Sequence, residues 1–248
     1  MANTTWSTTD KTSGVTLSGG NLTATLGNPS PAGIRAADKQ VTGKFYWECT
    51  ATTWTASGAS LGIANMQAAL TFGGSPTNAA VIYQSSGAIW VNNVSTGVNL
   101  GARSNGDVIG IALDLTNQLI WFRVAPAGNW NNNAGFSPGG TGGISISSVA
   151  SAGIPVSPVL AQTSSAPVIT ANFGDTAFSG AVPAGFTSGF TAGATINTNA
   201  LATQIALEHW LATNPDEQVT QVAIEHWASV AAAAPVVPSA DTRAMIMA

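Results

Sequence analysis

The sequence predicts an all-β sandwich over residues 1–190, followed by a short appended segment. Three observations predict it. From Trp6 to Gly189 the chain runs as short apolar stretches punctuated by Gly, Asn and Pro. In "VIGIALDL", Val108, Gly110, Ala112 and Asp114 alternate with Ile109, Ile111, Leu113 and Leu115, a period of two. Helical spacing is absent over the same region.

Each stretch reads as a strand in turn. "GVTLSGGNLTATL" is a hairpin, with Gly19, Gly20 and Asn21 between two alternating segments. "KFYWECTATTW" is aromatic and β-branched, as a half-buried strand should be. "ASLGIAN", "AAVIYQ", "GAIWVNN", "DVIGIALDL" and "QLIWFRVA" follow as further strands. "GNWNNNAGFSPGGTGG" is a long polar loop without periodicity, a length that usually marks function or disorder. Residues 191–200 read as a linker into a C-terminal segment, residues 201–248.

Composition narrows the class. The chain has 248 residues, of which 7% are charged and 45% hydrophobic. An average soluble domain carries roughly 25% charge. No apolar run reaches the roughly 20 residues that a spanning helix needs, so membrane insertion is not expected. Net charge is −4 and the seven Lys and Arg are scattered, so nucleic acid has no electrostatic footprint. The single cysteine, Cys49, allows no intrachain disulfide and reads as a buried thiol. "MANTTWSTTDKTSG" has neither the basic nor the apolar region of a secretory signal. A surface of hydroxyls and amides without an export signal suits a bacteriophage particle protein, made in the host cytoplasm and released by lysis.

Five motifs in order carry a family resemblance. "GKFYWEC" (43–49) resembles the first signature strand of SPRY domains, and "LGIA" (61–64) their next strand. "GDVIGIALDL" (106–115) is similar to their Gly-Asp-x-Ile-Gly-x-x-Leu-Asp element and is followed by "IWF" (120–122). "ANFGDTAF" (171–178) and "PAGF" (183–186) resemble the closing elements, and Trp6 and Arg35 fall where the family has a Trp and an Arg. The resemblance covers residues 6–189 and implies a concanavalin-like sandwich of two antiparallel sheets. It also implies a binding module whose ligands sit on loops at one end. In style the chain looks most like SPRY-like domains of phage structural proteins. Trp47, Trp121 and Phe173 are expected to fill the space between the sheets.

Chemistry is sparse. Retaining glycoside hydrolysis needs two carboxyls roughly 5 Å apart, as a Glu-x-Asp-x-Glu strand supplies. The sandwich acids are Asp10, Asp38, Glu48, Asp107, Asp114 and Asp175, and no two lie within five positions. Asp107 and Asp175 could pair in space or simply cap turns. No His precedes residue 209, so a catalytic base is missing from the sandwich and no enzyme is expected. The loop residues Asn129, Trp130, Asn131, Asn132 and Asn133 are the candidate ligand site. Trp130 is either a stacking platform for a glycan or protein, or a ring tucked back onto the sandwich.

Near the end the chain repeats itself. "ATQIALEHW" (202–210) and "VTQVAIEHW" (219–227) share Thr, Gln, Ala, Glu, His and Trp. One His per copy does not make the usual helical zinc signature, so neither a metal nor a cofactor is expected. Helix and strand readings both remain open. In either, Ile205, Leu207, Trp210, Val222, Ile224 and Trp227 are too apolar to be left in water, and they are expected to form an assembly interface.

The resulting expectation is a virion structural protein of tail, collar, fibre or capsid. It would display a SPRY-like module, with other virion proteins or a second copy as partners. A host-surface glycan or protein is the candidate ligand. The alternative is a free bacterial carbohydrate- or peptide-binding module.

Overall fold

The period-two alternation sorts side chains onto the faces of two antiparallel sheets. The computed structural model describes residues 3–27, 30–54, 59–72, 76–83, 86–151, 153–163 and 166–191. In chain order the strands are β1 (Trp6–Lys11), β2 (Val15–Ser18), β3 (Thr23–Leu26), β4 (Ala32–Ala36), β5 (Lys44–Thr53), β6 (Ala59–Asn65), β7 (Ala79–Tyr83) and β8 (Ala88–Val91). They continue as β9 (Val94–Asn99), β10 (Val108–Asp114), β11 (Leu119–Ala125), β12 (Ile144–Ser145), β13 (Val156–Gln162), β14 (Val168–Asn172) and β15 (Thr187–Ser188).

One sheet has the order β1-β4-β13-β6-β7-β8-β9 and the other β12-β11-β10-β5-β14-β3-β2. Strand β15 runs parallel to β5 at Phe45 and Tyr46, where β14 has ended. The expected hairpin joins β2 to β3, and Gly19, Gly20 and Asn21 all have positive φ, as this turn requires.

The space between the sheets is a continuous apolar core. It contains Trp6, Ile34, Trp47, Cys49, Leu61, Ile63, Ile82, Ile111, Phe122, Leu160, Ile169, Phe173 and Phe190. Trp47 and Phe173 are fully buried there, as expected, and Trp6 meets Phe173 edge-on at 5.3 Å. Trp121 does not join them. It is buried, but on the outer side of its sheet, with Tyr46, Ala112 and Phe186. The register explains this: Ala112 pairs with both Tyr46 and Trp121, and Ile111 with Trp47 and Phe122. Trp121 therefore has the opposite phase from Trp47.

Both sheets are covered on their outer faces as well. Ala64, Ala68, Phe72, Val81 and Val159 form a small cluster outside the first sheet, and Tyr46, Ala112, Trp121 and Phe186 one outside the second. The described sandwich lies within a unit that ends at Gly193. Residues 201–248, with the assembly positions Ile205, Leu207, Trp210, Val222, Ile224 and Trp227, lie outside the described residues.

Candidate functional site

On the outer face of β5, β10 and β11, three registered rows stack polar and aromatic groups. Gly110 lies between Glu48 and Arg123, Ala112 between Tyr46 and Trp121, and Asp114 between Lys44 and Leu119. The small residues of β10 let the side chains of its neighbours meet above it. A Cβ on Gly110 would lie 2.9 Å from the Tyr46 hydroxyl and 3.3 Å from the Arg123 stem.

Glu48 is almost fully buried and accepts three hydrogen bonds. The Tyr46 hydroxyl donates to Oε1 at 2.5 Å, the Gly180 N–H to Oε1 at 2.8 Å and the Ser179 N–H to Oε2 at 2.7 Å. Arg123 donates to the Tyr46 hydroxyl at 3.2 Å and to the Ala181 carbonyl at 2.9 Å. Its guanidinium carbon sits 4.4 Å from the Trp130 ring centre and 5.6 Å from that of Tyr46. The buried groups thus fasten residues 178–182 and Trp130 onto the sheet. Burial, and then the Glu48 carboxylate, push the Tyr46 phenol well above its ordinary value. At the same edge the Lys44 ammonium lies 2.9 Å from Asp114. Burial alone would raise the Asp114 carboxyl, but bonds from the Asn117 side chain and backbone and from Lys44 hold it low.

The Asn-rich loop is fastened by one of its own amides. Asn131 is buried; its Oδ1 accepts the Phe122 N–H at 2.9 Å, and its Nδ2 donates to Ile120 at 3.3 Å and Gly142 at 2.8 Å. A carboxamide carries a donor and an acceptor side by side, so it pairs with the edge of β11 as another strand would. Strand β12 covers Leu119 and Ile120, and the Gly128 N–H closes the Val124 carbonyl. Asn132 reaches the other sheet, donating to the Asn99 carbonyl on β9 at 2.9 Å. The loop therefore links the edges of both sheets. Asn129, Asn132 and Asn133 are exposed, while Trp130 is half-buried against Arg123 and Tyr46, tucked back onto the sandwich.

The expected assignments of the acids fare unequally. Asp107 accepts the Ser104 N–H at 2.8 Å and pairs with Arg103, and Asp175 accepts from the Asn3 amide at 2.9 Å. Both hold turns. A different pair, Glu48 and Asp175, lines one depression of about 270 Å³ together with Thr50, Thr170, Asn172 and Thr176. Since both Glu48 oxygens are taken by donors, this depression does not present two free carboxyls. No cluster of three or more metal-ligating side chains occurs among the described residues.

Comparison with known proteins agrees with this architecture. Residues 44–128 match the SPRY domain family model. The SPRY domain of human HERC1 superposes with a TM-score of 0.53 at 16% identity, over 67% of this chain and 96% of that one. The PSpry domain of TRIM65 gives 0.50, also at 16% identity, over 69% and 92%. The sandwich has the SPRY fold. SPRY domains are protein-interaction modules and as a rule carry no catalysis. No curated protein matches the sequence.

Sequence reasoning names Glu48 only among the sandwich acids and gives no role to Tyr46 or Arg123, the other two groups central to this face. Alternation within "KFYWEC" does put Tyr46 and Glu48 on the side opposite Trp47. Nothing local says that Arg123, 77 residues from Tyr46, completes the group.

Proposed function

We propose that this chain is a bacteriophage virion structural protein that displays a non-catalytic SPRY module, with the C-terminal repeat as its attachment to the particle. The observation that carries the binding role is the use made of the buried polar groups. Tyr46, Glu48, Arg123 and Asn131 are all committed to fastening the segments 126–143 and 178–182. A rigid frame with fastened surface loops serves recognition, because little ordering entropy remains to be lost on binding. Asn129, Asn132 and Asn133, exposed beside Trp130, are the contact residues proposed for a host-surface protein or glycan.

The virion role is supported by the scarcity of charge, 7% of residues, and by an apolar two-copy repeat that follows the sandwich. Thr191, the last described residue, bridges to Asn3, and its carbonyl accepts from the Gln40 amide at 2.7 Å. Thr191 thus lies beside Asn3, the first described residue. The test is mass spectrometry of gradient-purified particles, for the full chain and for a chain ending at Ala200. The full chain is expected in particles and the shortened chain as a folded, soluble sandwich that stays out of them. Absence of the full chain from particles would overturn the virion role in favour of a free binding module.

A further inference from the structure

The corner where β5 meets β10 holds the only Asn-Gly pair in the chain, Asn105–Gly106. This is the sequence at which an asparagine loses its amide most readily, because no side chain shields the following nitrogen. The Gly106 nitrogen attacks Asn105 Cγ, the C–N bond of the side-chain amide breaks, and the Gly106 N–H proton leaves with the departing ammonia. One water then opens the cyclic imide at either carbonyl, giving aspartate or isoaspartate. No oxidant or reductant is needed.

Asn105 is exposed, yet both reacting groups are occupied in the fold. Gly106 donates its N–H to the Ala51 carbonyl at 2.8 Å. Asn105 Oδ1 accepts the Trp54 N–H at 2.7 Å. The turn is further held by Ala51 N–H to the Asp107 carbonyl at 2.9 Å and by the Asp107 carboxylate on Ser104. The nitrogen cannot reach Cγ without surrendering its bond to Ala51, nor can the amide turn without surrendering Trp54.

We propose that Asn105 is the chain's site of covalent ageing, and that it reacts only when the β5–β10 corner opens. Its rate is then the intrinsic rate multiplied by the open fraction, as for a protected amide in hydrogen exchange. Isoaspartate would lengthen the main chain by one carbon and place a new carboxylate beside Asp107 and Arg103. It would also displace the acceptor that positions Trp54, a buried core residue.

The test uses the full chain, folded and unfolded in guanidinium, held at one pH and temperature in ¹⁸O-water. Peptide mass mapping follows conversion at every asparagine. Asn105 is expected to convert first in the unfolded chain and about 100-fold more slowly in the folded one, a ratio equal to about 2.7 kcal/mol of local opening. Hydrogen exchange at the Gly106 amide should give a protection factor equal to that ratio within about threefold. Equal rates folded and unfolded would overturn the proposal, as would another asparagine converting first. Strong Gly106 protection without matching retardation would overturn the gating mechanism.

Discussion

On each outer face of the sandwich a buried arginine ties a crossing segment to the sheet, and the two arginines are held by different chemistry. Outside the first sheet, Arg35 of β4 pairs with Asp10 at 3.1 Å and donates to the carbonyls of Asn65, at 3.0 Å, and Ala68. Outside the second, Arg123 has no carboxylate in direct contact among the described residues and reaches Glu48 through the Tyr46 hydroxyl. Glycine permits the close approach in both places: a Cβ on Gly33 would lie 2.2 Å from the Leu70 carbonyl, and one on Gly180 2.2 Å from Arg123. The Arg35 face is an ion pair closed by main chain. The Arg123 face is a relay that joins a guanidinium to a carboxylate through a tyrosine hydroxyl, with aromatic rings beside it, and fastens two long loops. Long loops held by several moderate bonds can be altered one bond at a time, which suits the face proposed for recognition.

The core between the sheets sets the scale for both faces. Trp47→Ala should destabilise the protein by about 3–5 kcal/mol, the usual effect of emptying a large aromatic site. Thermal and urea unfolding measure it. An unchanged midpoint would mean that Trp47 is not the inter-sheet residue that the register makes it.

Arg35→Ala should follow, at about 3 kcal/mol, because it leaves Asp10 unpaired and strands two main-chain carbonyls. Hydrogen exchange should show residues 66–72 losing protection while the β10–β11 pair keeps its own. Arg123→Ala and Asn131→Ala should each cost about 2 kcal/mol, and loosen the opposite face instead. Loss of protection would then fall on residues 126–143 and 178–182, with a changed Trp130 emission. If Arg35→Ala and Arg123→Ala loosened the same segments, the two faces would be one cooperative unit and the contrast between them would fail.

Much of this frame can be read from the chain, and the part that cannot has a physical reason. Strand positions follow from local alternation, as in "VIGIALDL", and the hairpin from Gly19, Gly20 and Asn21, because both signals are contained within a few residues. The phase of Trp121 is not local. It depends on which residue of β10 lies opposite, and Ala112 rather than Ile111 does. The same holds for the site: "NWNNN" announces a polar loop, but not that Asn131 alone turns inward to close the edge of β11. That role appears only when Phe122 is seen to lie past the end of β12, which stops at Ile120.

The relay should also leave a signature in alkali. Burial, and then Glu48, raise the Tyr46 phenol in the folded chain, so the unfolded chain releases that proton first. Above the ordinary phenol range, about pH 10, the unfolded state binds fewer protons and stability falls as pH rises. The buried Cys49 thiol, raised chiefly by burial and then by Glu48, adds the same sign from about pH 8.5. Tyr46→Phe should lower stability at pH 7 by about 1 kcal/mol, yet flatten the decline above pH 10. A Cys49→Ala background isolates the tyrosine term. An equally steep decline in Tyr46→Phe would show that the relay does not hold the phenol protonated.

The smallest effect belongs to Asn132. Its amide spans the gap between the two sheet edges, but the group is exposed and makes one hydrogen bond, to Asn99. Water can replace that bond on either side, so Asn132→Ala should change stability by less than about 0.5 kcal/mol. Asn131, one residue earlier, leaves the Phe122 N–H and two carbonyls without partners when truncated. The pair is therefore a controlled comparison of one residue type in one loop, buried against exposed. Urea unfolding of both variants should separate them by about 1.5 kcal/mol, with unchanged slopes. If Asn132→Ala proved as damaging as Asn131→Ala, the loop would be held by its bridge to β9 and not by its seat on β11. Ligand contacts at Asn129, Asn132 and Asn133 would then have to be sought on a loop that moves with both sheets.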